Sequence, residues 1–152
     1  TVEGLRRLAD ARMLSWLRWS YADVPAQPGG PPALVRDLAR PASGDNVDET
    51  RLRALDAPHP RLIAGTPEGW SLNATTGVFR AAWSTQLPSG ASAADGAVRE
   101  VWLGRRHFPA GFTLTLTGAG VVRRTADRVA VRTLPGATRV TFSAAPVPPA
   151  GG

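Results

Sequence analysis

Phe112-Thr113-Leu114-Thr115-Leu116-Thr117 alternates apolar and polar residues without a break, the period of a strand with one buried and one wet face. The alternation resumes at Val129-Ala130-Val131-Arg132 and at Val140-Thr141-Phe142, with turn residues Gly118, Gly120, Pro135 and Gly136 between the runs. Further back, Trp70-Ser71-Leu72-Asn73 and Val78-Phe79-Arg80-Ala81-Ala82-Trp83 flank Ala74-Thr75-Thr76-Gly77, the pattern of a hairpin. Short strands at this spacing predict a mainly β fold, an antiparallel β-sandwich of about seven or eight strands over residues 68–145. The small residues from Ser89 to Gly96 read as a loop, and residues 146–152 as a tail.

Upstream the period changes. Leu5, Leu8, Ala9, Arg12 and Met13 follow the spacing of a helix with one apolar face. Met13-Leu14-Ser15-Trp16-Leu17-Arg18-Trp19-Ser20-Tyr21 is short, aromatic and suited to a buried strand. A helix leading into a buried strand is half of a βαβ unit, and such a strand needs a parallel sheet to join. No second unit follows, so residues 1–24 are expected to be a remnant α/β unit whose sheet partners lie upstream. Residues 25–67 form a junction in which Pro25, Pro28, Gly29, Gly30, Pro31 and Pro32 exclude regular structure locally. Within it, Ala33–Leu38 reads as a short helix or strand ended by Pro41, and Asp48–Leu55 as a helical turn or two capped by Asn46 or Asp48.

The net charge is +6, which raises nucleic acid as a partner. All 18 basic residues are arginines, scattered singly or in pairs, and no run of them marks a binding tail, so nucleic acid is not expected. Zero cysteines exclude disulfides and thiolate chemistry. His59 and His107 stand apart with no HxxxH spacing, so no metal site is expected, and no cofactor either, since no phosphate loop is present. A G-x-S-x-G elbow is absent, and the acids between Asp45 and Asp56 read as caps and solvent-facing charges.

The aromatic run carries two readings. Strand alternation places Trp19 and Tyr21 on one face and Trp16 on the other. Core packing is the plainer reading; the functional one is a sugar-stacking platform at the mouth of a parallel barrel. Periodicity alone favours core.

Ser15-Trp16-Leu17-Arg18-Trp19-Ser20-Tyr21 resembles the eighth barrel strand of family 5 glycoside hydrolases. Pro41-Ala42-Ser43-Gly44-Asp45-Asn46-Val47, then Pro58-His59-Pro60-Arg61-Leu62-Ile63-Ala64-Gly65-Thr66-Pro67, is similar to the barrel-to-sandwich junction of the endoglycoceramidases in that family. Trp70–Phe79 and Phe108-Pro109-Ala110-Gly111-Phe112 resemble sandwich segments, in the same order. His59 stands where relatives carry Tyr, and Arg18 where they often carry an aromatic residue. The resemblance implies a (β/α)₈ parent that cleaves a β-glycosidic bond to ceramide with retention, through two glutamates about 5 Å apart. On that mapping both glutamates precede Thr1, so no catalytic residue is expected in this chain. Trp19 maps to the tryptophan flooring the sugar site, with Trp16 and Tyr21 as weaker members of the same substrate-binding set.

The partners so implied are a glycolipid or glycoside reached through the parent barrel, and the barrel itself, packed on the sandwich. Peripheral membrane contact stays open, and the location implied is extracellular or at the cell envelope. The rival readings are a parent acting on glucosylceramide or a steryl glucoside, and a stand-alone sandwich that binds carbohydrate or a partner through Trp70, Trp83 and Trp102.

Overall fold

The computed structural model describes residues 2–14, 33–93 and 96–148. Its elements are α1 (Val2–Ala11), a 3₁₀ turn (Gly44–Asn46), α2 (Glu49–Leu55), β1 (His59–Leu62), β2 (Thr66–Leu72), β3 (Phe79–Ser84), β4 (Val98–Trp102), β5 (Phe112–Thr117), β6 (Ala119–Arg124), β7 (Arg128–Thr133) and β8 (Arg139–Pro146). The strands make two antiparallel four-stranded sheets, ordered β1-β4-β7-β6 and β2-β3-β8-β5. The expected sandwich is therefore present, and its first strand begins at His59, ahead of the boundary expected at 68.

Alternation explains the inner faces. Phe79, Ala81 and Trp83 of β3, Val101 of β4, Val129 and Val131 of β7, and Val140, Phe142 and Ala144 of β8 all point inward and are buried. Phe79 meets Phe142 edge-on at 6.2 Å, and Phe108 meets Phe112 at 5.7 Å. Leu114 and Leu116, the apolar half of the Phe112–Thr117 alternation, pack against this core half-buried. The Trp70–Trp83 hairpin forms as expected, with Leu72 opposite Phe79 and an Asn73 side chain organising the turn.

Between β1 and β2 the chain passes from one sheet to the other in three residues, Ile63, Ala64 and Gly65. Gly65 has φ +142°, and a Cβ there would lie 2.0 Å from the Ser84 carbonyl oxygen, so no side chain fits. Arg99, inward-facing on β4 and only 2% exposed, donates from Nε and Nη2 to the Ala64 carbonyl at 3.1 and 2.7 Å. Its Nη1 donates to the Ala97 carbonyl. A buried guanidinium thus ties the crossover through main-chain oxygens, which satisfies donors that burial would otherwise strand.

From residue 33 onward the junction is more ordered than a loop reading suggests. Ala33–Leu38 forms neither helix nor strand but one isolated bridge, Val35 to Val47. Asn46 is 1% exposed; its Oδ1 accepts from the Asp37 N–H at 2.8 Å, and its Nδ2 donates to the Asp37 and Pro41 carbonyls at 2.8 and 2.9 Å. Asp48 caps α2 by accepting from the Arg51 N–H at 2.9 Å.

Candidate functional site

Helix α1 forms as the spacing predicts, but its burial is turned round. Arg6 and Ala9 are buried, whereas Leu5 and Leu8 are each 52% exposed. The cause is an ion-pair cluster beneath the helix. Arg6 donates to Glu3 at 2.7 Å and pairs with Asp10, whose other oxygen accepts from Trp70 Nε1 of β2 at 3.0 Å. The Arg6 hydrogen bond, reinforced by Arg7, holds the Glu3 carboxyl below its usual range against the opposing effect of burial. A groove of about 400 Å³ runs along this contact, lined by Arg6, Asp10, Trp70 and Asn73 among others. Ser15–Tyr21, with the expected substrate-binding residues Trp16, Trp19 and Tyr21, lies outside the described residues.

The three tryptophans of the sandwich have structural roles. Trp83 is wholly buried in the core. Trp70 is held by Asp10, and Trp102 Nε1 donates to Asp56 Oδ1 at 3.1 Å beneath the Arg128 guanidinium. Trp102 belongs to the seat of α2, where Gly104 approaches so closely that a Cβ would lie 2.7 Å from the Asp56 carbonyl. Arg106 completes the seat by reaching Glu49 at 3.1 Å.

Both histidines are half-buried and tied to the main chain around the end of α2. His59 Nδ1 lies 2.9 Å from the Ala57 carbonyl, and His107 Nε2 lies 2.7 Å from that of Arg53. Burial pushes His107 below its ordinary pKa, with the hydrogen bond to Arg53 working the other way. Among the described residues every acid except Asp37 pairs with an arginine, and Asp37 instead accepts from the Ala39 N–H. A general acid at neutral pH needs its carboxyl pKa raised; Glu3, bonded to Arg6, and Asp127, bonded to Thr125, instead lie below the ordinary carboxylate range. No group of three or more metal-ligating side chains occurs among the described residues.

The outward face of the β1-β4-β7-β6 sheet holds a cluster that sequence reading missed. Pairing aligns Leu62, Glu100, Ala130 and Arg123 in one row across all four strands. The register shifts at Arg61 on β1 and at Val122 on β6, so both edge strands bulge beside that row. The result is an open groove of about 650 Å³ lined by Arg61, Leu62, Val98, Glu100, Val122 and Arg123, with Ala130 as floor. Glu100 accepts from Arg61 at 2.7 Å, with Arg123 at 3.5 Å and Arg128 at 4.0 Å. No local motif announces this cluster; only the alternation placing Val98, Glu100 and Trp102 opposite Val101 hints at it.

Residues 58–141 match the glycoside hydrolase family 5 C-terminal domain. The chain belongs to that family of domains and carries its β-sandwich. Endo-glycoceramidase II from Rhodococcus sp., in its complex with a five-membered iminocyclitol, is a structural relative with 25% identity and a TM-score of 0.59. The alignment covers 96% of this chain and 29% of that one. Sterylglucosidase 1 of Cryptococcus neoformans shares the fold at 18% identity and a TM-score of 0.52, over 67% of this chain and 15% of its own. This chain therefore spans under a third of the length of either relative. No curated protein sequence matches it.

Proposed function

We propose that this chain is the closing part of a retaining glycosidase that hydrolyses the bond between sugar and ceramide in glycosphingolipids. The sandwich acts as an accessory domain that braces the barrel. The observation that supports this most is the orientation of α1. A helix that turns its charged edge onto a sandwich and its leucines outward leaves an apolar stripe that water does not favour. A barrel built by preceding chain would cover Leu5 and Leu8, while Arg6, Asp10 and Trp70 hold the helix to the sandwich. The helix then leads within a few residues to Trp16, Trp19 and Tyr21, the proposed substrate-facing strand. The two catalytic glutamates belong to the barrel ahead of Thr1.

The test is an assay of the protein extended upstream through a barrel-sized segment of roughly 250 residues. It should release oligosaccharide from a glycosphingolipid and lose most of that activity with Trp19→Ala. The 152-residue chain alone should turn over no fluorescent glucoside. Turnover by the chain alone would sink the proposal. Cleavage of glucosylceramide or a steryl glucoside in preference to longer glycolipids would keep the enzyme class and replace the substrate.

A further inference from the structure

The arginines are scattered along the chain, yet the fold gathers several on one face. Across the outer side of the β1-β4-β7-β6 sheet stand Arg61, Arg123, Arg128 and Arg132, from three different strands. Glu100 and, at the margin, Asp127 are the acids they meet among the described residues. Glu100 is already held at 2.7 Å by Arg61, while Arg132 is exposed with no ion-pair partner among the described residues. Beside these cations, Leu62, Val98 and Val122 are 55%, 37% and 48% exposed. Two of the three sit at the edge-strand bulges, which turn them out of the regular pleat.

We propose that this face is a docking surface for an anionic lipid bilayer. Leu62, Val98 and Val122 seat at headgroup level, and Arg61, Arg123 and Arg132 bind lipid phosphates. Three observations favour a bilayer over other occupants. The surplus of guanidinium groups complements phosphate, which they can grip with two parallel N–H bonds. The lining of the groove is aliphatic side chains, two arginines and Glu100, with no aromatic ring, whereas protein interfaces usually centre on one and single-stranded nucleic acid needs rings to stack on. Among the described residues, α1 packs on α2 and β2 and is not one of the elements lining the groove. Shallow apolar contact beside several cations is the combination that holds peripheral proteins at anionic membranes. The inference does not depend on the glycosidase reading.

Co-sedimentation of the 152-residue chain with vesicles tests it, using phosphatidylcholine alone and phosphatidylcholine with about one third phosphatidylserine. Binding is expected to the anionic vesicles only, and to fall steeply as salt shortens the Debye length. The double variant Arg123→Ala/Arg132→Ala should weaken partitioning roughly 25-fold, about fivefold for each arginine near the surface. Val122→Ser should weaken it less, and Arg80→Ala on the other sheet should leave it unchanged. Far-ultraviolet circular dichroism confirms that each variant is folded. No binding to anionic vesicles, equal binding to neutral ones, or an equal loss with Arg80→Ala overturns the proposal. So does retention on heparin or RNA without vesicle binding, which would assign the face to a soluble polyanion.

Discussion

The two outer faces of the sandwich share one core but expose different chemistry. On the β2-β3-β8-β5 sheet the outward positions are Ser71, Arg80, Ala82, Thr113, Thr115, Thr117, Thr141 and Ser143, small and mostly hydroxylated. Its cations are Arg80 and Arg139, the latter paired with Glu68 at 2.7 Å. A shallow groove of about 430 Å³ crosses it, and its strands pair in regular register apart from one shift at Pro67–Gly69. The β1-β4-β7-β6 sheet bulges on both edges, concentrates arginines and leaves aliphatic side chains in water. The contrast teaches that a threonine row is a face suited to remain wet, whereas bulged valine and leucine beside four arginines that share two acids give a face with both apolar and cationic surface to offer.

The largest expected effect tests whether the two sheets are one unit. Trp83 is fully buried, and its indole N–H has no partner, so it contributes through packing alone. Trp83→Ala should remove about 3–5 kcal/mol in urea unfolding, with both sheets still melting in one transition. Two separate transitions would break the picture of a shared core. Next, Glu100→Ala leaves Arg61, Arg123 and Arg128 facing one another and should destabilise by about 1 kcal/mol or more. Glu68→Ala on the other face, which frees only an exposed arginine, should change stability by less than about 0.5 kcal/mol. Equal effects would erase the electrostatic difference between the faces.

The smallest effect concerns pH. His107 has a folded pKa below its unfolded value because burial disfavours the imidazolium. The unfolded chain therefore binds more protons in that range. His107 contributes stability that is present above the ordinary histidine pKa and lost as pH falls through and below it. Stability measured from pH 7.5 to 5.5 should decline less in His107→Gln than in the natural chain. An identical slope would show that α2 docks without regard to this histidine.

The strand alternation was legible because a sandwich strand exposes its period directly. Val140-Thr141-Phe142 and the hairpin at Ala74–Gly77 lie where spacing and turn chemistry predict. The cap at Asp48 was equally readable as one of two choices, since a short acid before Glu49 has a local job. The face of α1 was not. Periodicity marked Leu5 and Leu8 as an apolar stripe, but which face meets the sandwich depends on Asp10 finding Trp70, sixty positions away. The first strand was also missed, because His59-Pro60-Arg61-Leu62 carries a proline and a bulge and, among the described residues, pairs only with β4.

By itself, then, the sequence determined a mainly β sandwich, its hairpins and the order of segments resembling a family 5 enzyme, since each depends on neighbours within a few residues. Tertiary structure alone decided that Arg99 would be buried to tie Ala64, and that Arg6 rather than Leu5 would be buried in α1. It also brought Arg61, Glu100 and Arg123 into one row, because register and edge bulges are set by pairing between strands far apart in the chain.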